Sequence, residues 1–149
     1  MRRLVFVLAL VGCDSESAEE RLDRFTAEAE TVCWQFTCQA VLSPPPPDVP
    51  IEQGLACMND ALATGARAMA SWAYEDSLNF TEQIVVFTID HRVKVFYSYP
   101  EGNDGGPARV IEHPTCMGPF TISTRSICGI RDSNGGSTSV YALAWGDCP

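Results

Sequence analysis

"TEQIVVFTIDHRVKVFYSY", residues 81–99, carries the clearest structural period in this 149-residue chain. Two runs rich in β-branched and aromatic residues flank Asp90-His91-Arg92, the pattern of a β-hairpin. Side chains alternate across a strand with a period of two. For any two-residue loop at the turn, parity puts Ile84, Val86 and Thr88 on one face with Val93, Val95, Tyr97 and Tyr99. The first run is apolar on both faces, which predicts a strand in the middle of its sheet.

Toward the C-terminus, "PEGNDGGP" (100–107) reads as a loop and Ala108 to His113 as a third strand. Phe120 to Arg131 and Thr138 to Trp145 flank "DSNGGS", a second hairpin signal. A turn at Asn134-Gly135 would set Cys148 opposite Thr121. Toward the N-terminus the period becomes helical. Ser17-Ala18-Glu19-Glu20 has the form of a capping box, followed by Leu22, Phe25, Ala29, Val32, Cys33, Phe36 and Ala40 at steps of mostly three and four. This predicts one helix from Ser17 to about Leu42, stopped by Pro44-Pro45-Pro46-Pro47. A second helix is predicted from Pro50 to about Tyr74, with Ile51, Leu55, Met58, Leu62 and Met69 on one face. The expected fold class is α+β. Two N-terminal helices form a hairpin about the Pro-rich connector 43–50 and pack on an antiparallel sheet of four to five strands, stapled by disulfides.

The first residues have a different character. Met1-Arg2-Arg3 is basic, Leu4 to Val11 is apolar, and Gly12-Cys13 follows. The run is far shorter than the ~20 residues that a helix needs to span a bilayer, and its flanks are those of an export signal. Leu10-Val11-Gly12-Cys13 resembles the lipobox of bacterial lipoproteins. The resemblance covers residues 1–13 and implies that residues 1–12 form a signal peptide. Cys13 would then become the lipidated N-terminus of a single domain, residues 13–149. It also implies a bacterial cell envelope protein held to the inner or outer membrane, with its domain in the periplasm or at the cell surface. Small cysteine-rich lipoproteins of this kind are the class that the mature chain resembles.

Composition agrees with export. Removing residues 1–12 takes away Arg2 and Arg3, leaving 8 basic against 19 acidic residues and a formal charge of −11. Such a surface repels phosphate backbones, so no nucleic-acid partner is expected. Of the seven cysteines, Cys13 would take lipid. The other six, Cys33, Cys38, Cys57, Cys116, Cys128 and Cys148, are even in number and suit three disulfides in an oxidising compartment. A Cys38–Cys57 bridge suits two antiparallel helices, and Cys148 falls near Cys116, with Cys57–Cys116 as a rival pair. No C-x-x-C occurs, so no metal site and no cofactor is expected of these cysteines.

The search for catalytic signatures is negative: no G-x-S-x-G, H-E-x-x-H, S-x-x-K or Gly-rich phosphate loop is present. Glu101, Asn103 and Asp104 supply oxygen atoms at a spacing that does not match a calcium loop. Trp34, Trp72 and Trp145, with Tyr74, Tyr97, Tyr99 and Tyr141, suit core packing better than a ligand groove. The functional expectation is a non-catalytic binding or interaction module, anchored to the membrane by lipid and facing an envelope partner. One alternative is a hydrolase using His113 with nearby carboxylates as acid and base. Another is an inhibitor or immunity protein that presents the loop at 100–107 or at 131–137.

Overall fold

The hairpin forms as its period requires. In the computed structural model, which describes residues 16–39, 49–75, 81–100, 108–116, 119–125 and 140–145, Ile89 pairs with Arg92. The loop is therefore two residues long. Asp90 and His91 have φ of 49° and 62°, the pair of positive angles that a type I′ turn needs to match the twist of its strands. Asp and His enter this region more readily than most residues. Ile84 faces Tyr97, Val86 faces Val95 and Thr88 faces Val93, the expected shared face.

In chain order the elements are α1 (Ala18–Glu28), β1 (Thr31–Gln39), α2 (Ile51–Thr64), β2 (Ala68–Glu75), β3 (Thr81–Ile89), β4 (Arg92–Pro100), β5 (Ala108–Cys116), β6 (Phe120–Arg125) and β7 (Val140–Trp145). The first five strands form one sheet in the order β1-β2-β3-β4-β5, with β3 central as expected. Strand β1 lies parallel to β2, and the other neighbours are antiparallel. Strands β6 and β7 make a separate two-stranded sheet.

The class is α+β, but the arrangement corrects the expected one. Among the described residues no helical hairpin precedes the sheet: one helix precedes it, and the second crosses between two parallel strands. The capping box is present, since Ser17 Oγ accepts from Glu20 N–H while Glu20 accepts from Ser17 N–H. The helix stops at Glu28, where Ala29 turns extended and Glu30 N–H donates to Arg67 O. Beyond it, Thr31, Val32, Trp34, Phe36 and Thr37 favour a strand. The second helix stops at Thr64 because Gly65 takes the left-handed conformation, φ 77°, and closes the last turn onto Ala61 O. The expected sheet was antiparallel throughout, whereas β1 and β2 make it mixed. The Pro-rich connector therefore links β1 to α2, with residues 40–48 outside the described residues.

The two helices cover opposite faces. Helix α1 lays Leu22 and Phe25, with Ala29 just beyond its end, on Met69, Val85, Phe87 and Phe96. Phe25, Phe87 and Phe96 form a triangle with ring centroids 5.7–5.8 Å apart. Helix α2 and the β6–β7 ribbon cover the other face, where Met58, Phe120 and Leu143 meet Trp34, Trp72, Val86 and Val95. Asn59 Nδ2 donates to Phe120 O and Asn59 Oδ1 accepts from Phe120 N–H, which ties the ribbon to the helix. Within β1 the ladder slips by one residue between Val32 and Trp34. Cys33 is the extra residue of this bulge, so Cys33 and Trp34 enter the same core although they are adjacent.

Small residues allow α2 to lie close. A Cβ on buried Gly54 would stand 2.6 Å from Trp34 Cβ and 2.9 Å from its Cγ. Alanine is the better helix former by ~1 kcal/mol, yet Gly54→Ala is expected to lower stability by about 1–3 kcal/mol through overpacking. Urea unfolding of the oxidised protein reads this directly. An unchanged or raised midpoint would mean that α2 stands further from β1.

Candidate functional site

Strands β4 and β5 expose two unlike faces, and the alternation of side chains sorts the chemistry between them. Lys94, Phe96, Val110 and Glu112 point toward α1, whereas Val95, Tyr97, Ile111 and His113 point the other way. The α1 side is closed. Arg21 Nε donates to Glu112 Oε2 at 2.5 Å and Lys94 Nζ donates to Glu112 Oε1 at 2.6 Å. Arg21 also reaches the carbonyl of Glu16. The Glu112 side chain is only 14% exposed. Burial alone would push its carboxyl up. The hydrogen bonds from Lys94 and Arg21, with their charges, outweigh burial and hold it below the ordinary 4.5.

A second set of ion pairs runs along the exposed side of α1. Arg24 makes two 2.9 Å bonds to the Glu16 carboxylate, and Arg67 bonds Glu28 at 2.6 Å. The bonds from Arg24 lower the Glu16 carboxyl, against a smaller effect of desolvation. These exposed pairs orient α1 more than they stabilise it. Beneath them a cavity of about 10 Å³, lined by Phe25, Ala29, Arg67, Phe87, Thr88 and Ile89, has the room of one water molecule.

The opposite face of β4–β5 is covered at Val93 and Val95 and exposed toward β5. The His113 ring meets the Tyr97 ring edge to face, with centroids 5.4 Å apart. Ile111 is 37% exposed. His113 and Arg109 are exposed, and Tyr97 and Tyr99 are half-buried. An imidazole, two phenols, a guanidinium and an aliphatic side chain therefore share one shallow surface. It can stack a planar group and exchange hydrogen bonds.

The cysteines are placed as follows. Cys33 and Cys57 form a disulfide with Cα atoms 5.5 Å apart. This corrects both the Cys38–Cys57 and the Cys57–Cys116 expectations. A crossover helix runs back along the strand that precedes it, so Cys57 stands over the bulge and not over the end of β1. Cys38 lies in β1 opposite Tyr74, and Cys116 ends β5 opposite Val93. Cys13, Cys128 and Cys148 lie outside the described residues. The β6–β7 register also differs from the expected one: Thr121 faces Ala144, not Cys148. Among the described residues no group of three or more His, Cys, Asp or Glu side chains could hold a metal ion.

His91 has a structural role. Its Nδ1–H donates to Leu62 O at 3.1 Å, satisfying one of the last carbonyls of α2. Trp34 and Trp72 belong to the core, with rings 6.1 Å apart. The Arg21–Glu112–Lys94 cluster escaped sequence reasoning. The signal was available in part, because Lys94 is the sole lysine and sits in a strand. Its partner depended on the β4–β5 register, which carries a bulge where Pro114 and Thr115 stand opposite Lys94. Comparison with known proteins finds no family, no curated protein and no solved structure that matches the chain.

Neighbouring residues of β5 should behave differently on substitution. Glu112→Gln is expected to cost about 1–2 kcal/mol, since it unpairs two cations from a largely buried carboxylate. Its lowered carboxyl binds protons more readily in the unfolded chain, so its contribution is present above about pH 4.5 and lost as pH falls through the folded-state value. Glu112→Gln should therefore flatten the loss of stability on acidification. His113→Ala should stay within about 0.5 kcal/mol of the wild type. Urea titrations between pH 3 and 7 test both, and an equal cost at the two positions would contradict the division of faces.

Proposed function

We propose that the chain is a lipid-anchored bacterial envelope protein whose folded part is a binding module. The observation that carries this reading is the leader: Arg2-Arg3, an apolar run, and then Leu10-Val11-Gly12-Cys13. Cysteine parity supports it, because lipidation of Cys13 leaves an even number of thiols. The Cys33–Cys57 bridge supports it too, since disulfides persist mainly in oxidising compartments. Among the described residues no helix is long and apolar enough to cross a membrane, a test that does not address β-barrels.

Binding is favoured over acid–base chemistry by the surroundings of His113. A hydrolytic site needs a carboxylate converging on that imidazole. The adjacent carboxylate, Glu112, is held on the other face of the sheet by Arg21 and Lys94, while His113 lies against Tyr97. The surface of Tyr97, Tyr99, Arg109, Ile111 and His113 is the binding face that this reading selects. Of the loops 100–107 and 131–137 that an inhibitor would present, all residues but Pro100 lie outside the described residues.

Expression of the full chain in a bacterium with a lipoprotein-processing pathway tests the anchor. The wild type should sediment with membranes, need detergent for release, and have the mass of residues 13–149 plus acyl glyceride. Cys13→Ser should abolish the lipid mass and the detergent requirement. A wild type that is water-soluble and free of lipid would refute the anchored reading.

A further inference from the structure

The chain enters the fold beside β5. Arg21 Nε donates to Glu112 Oε2 in that strand, and the same guanidinium donates to Glu16 O. Helix α1 then runs away across the sheet, and past its end Glu30 N–H donates to Arg67 O, next to the start of β2. Cys13 precedes Glu16 by three residues. Three residues span at most about 11 Å in any conformation. A lipid on Cys13 therefore holds the β5 edge of the sheet close to the bilayer. The far edge, β1, is four strand spacings of about 4.8 Å away, on the order of 19 Å.

The side chains on β5 and its neighbour suit that position. Ile111 stands opposite Tyr97 and Arg109 opposite Tyr99, while His113 lies against the Tyr97 ring. Ile111 is exposed, and both tyrosines are half-buried. Tyrosine joins an apolar ring to a polar tip and is enriched where hydrocarbon meets lipid headgroups. None of the five residues is acidic, although acidic residues outnumber basic ones 19 to 10 in the whole chain. Two carboxylates near the point of entry are paired, Glu16 with Arg24 and Glu112 with Arg21 and Lys94. Val32, the other large hydrophobic residue exposed among the described residues, lies on β1 at the far edge. A patch of this size would hold a bilayer only weakly by itself. The tether makes its encounter with lipid intramolecular in effect, so a weak contact is enough.

We infer that the face formed by Tyr97, Tyr99, Arg109, Ile111 and His113 rests on the phospholipid surface that holds the anchor, with the β5 edge nearest the bilayer and the β1 edge farthest from it. This rests on the anchored reading and names a lipid surface as the partner of the binding face. Apolar and interfacial side chains make the contact, and the short tether selects which edge of the sheet makes it.

Methyl resonances test the placement. Full-length protein carrying its lipid, methyl-labelled at isoleucine and valine, is inserted in nanodiscs of phosphatidylethanolamine and phosphatidylglycerol doped with a gadolinium-chelating lipid. The Ile111 methyl should broaden several-fold more than the Val32 methyls. Equal broadening, greater broadening at Val32, or none at either overturns the placement, and the last is the result if the face serves a protein partner instead. Ile111→Glu sets a carboxylate against the headgroups. It should keep its lipid mass, while broadening of the Val110 methyls, the preceding residue of β5, falls several-fold below that in the wild type. Unchanged broadening at Val110 would mean that the tether alone sets the approach, which overturns a contact surface. Intact mass reports on the anchor separately. A wild type without lipid mass defeats the anchored reading and the placement with it, whereas lipid mass with a sharp Ile111 methyl defeats the placement alone.

Discussion

The one-residue bulge at Cys33 turns two consecutive side chains into the same layer, where Cys33 bridges to Cys57 and Trp34 fills the space beneath Gly54. Much of the architecture follows from that constraint. Parallel strands need a long crossover, and α2 supplies it between β1 and β2. The bridge fixes where along β1 the helix lies, and the absence of a side chain at Gly54 fixes how closely. Closing a loop with a sequence separation of 24 stabilises the fold by about 3 kcal/mol in the chain-entropy picture. With α2 committed to one face, α1 takes the other, locked by the Phe25–Phe87–Phe96 triangle.

This division also shapes the functional surface. On the α1 side of β4–β5, Glu112 is neutralised by Arg21 and Lys94, so a polar residue can lie at the margin of a core. On the other side, α2 and the β6–β7 ribbon cover Trp34, Trp72 and Val95, while Ile111 and His113 near the sheet edge stay exposed. An edge strand with open backbone groups invites unwanted pairing. Strand β5 limits this with charged residues and with Pro114 at its bulge, where no N–H is offered.

How much was legible depended on whether local pattern and tertiary context agreed. Residues 81–99 have a strand period, so the shared face of the hairpin and the central position of its first strand followed, while the structure supplied the register and the Asp90-His91 turn. The Ser17–Glu20 box marked the start of α1 because both of its hydrogen bonds are local. The bulge hid β1. With one residue inserted, Cys33 and Phe36 fall three apart, which imitates a helical step and continues the stripe of α1. Strand β2 was hidden by Ala68, Ala70 and Ala73, which read as helix formers but serve as small contacts beneath neighbouring elements. Gly65 was the available stop signal, as a left-handed cap at the end of a helical run. For the site, the expected strand Ala108–His113 already put Glu112 and His113 on opposite faces, whereas the partners of Glu112, Arg21 and Lys94, required the fold.

The central claim is that residues 31–39 are a strand laid parallel on β2 and not the continuation of a helix. Nuclear Overhauser contacts in the isotopically labelled, oxidised protein test it most directly. The account predicts cross-strand contacts linking Trp34 with Ala70 and Phe36 with Trp72, with strong sequential Hα-to-amide contacts through β1. Helical contacts from each residue to the third residue beyond it across positions 31–39, without contacts to β2, would contradict it.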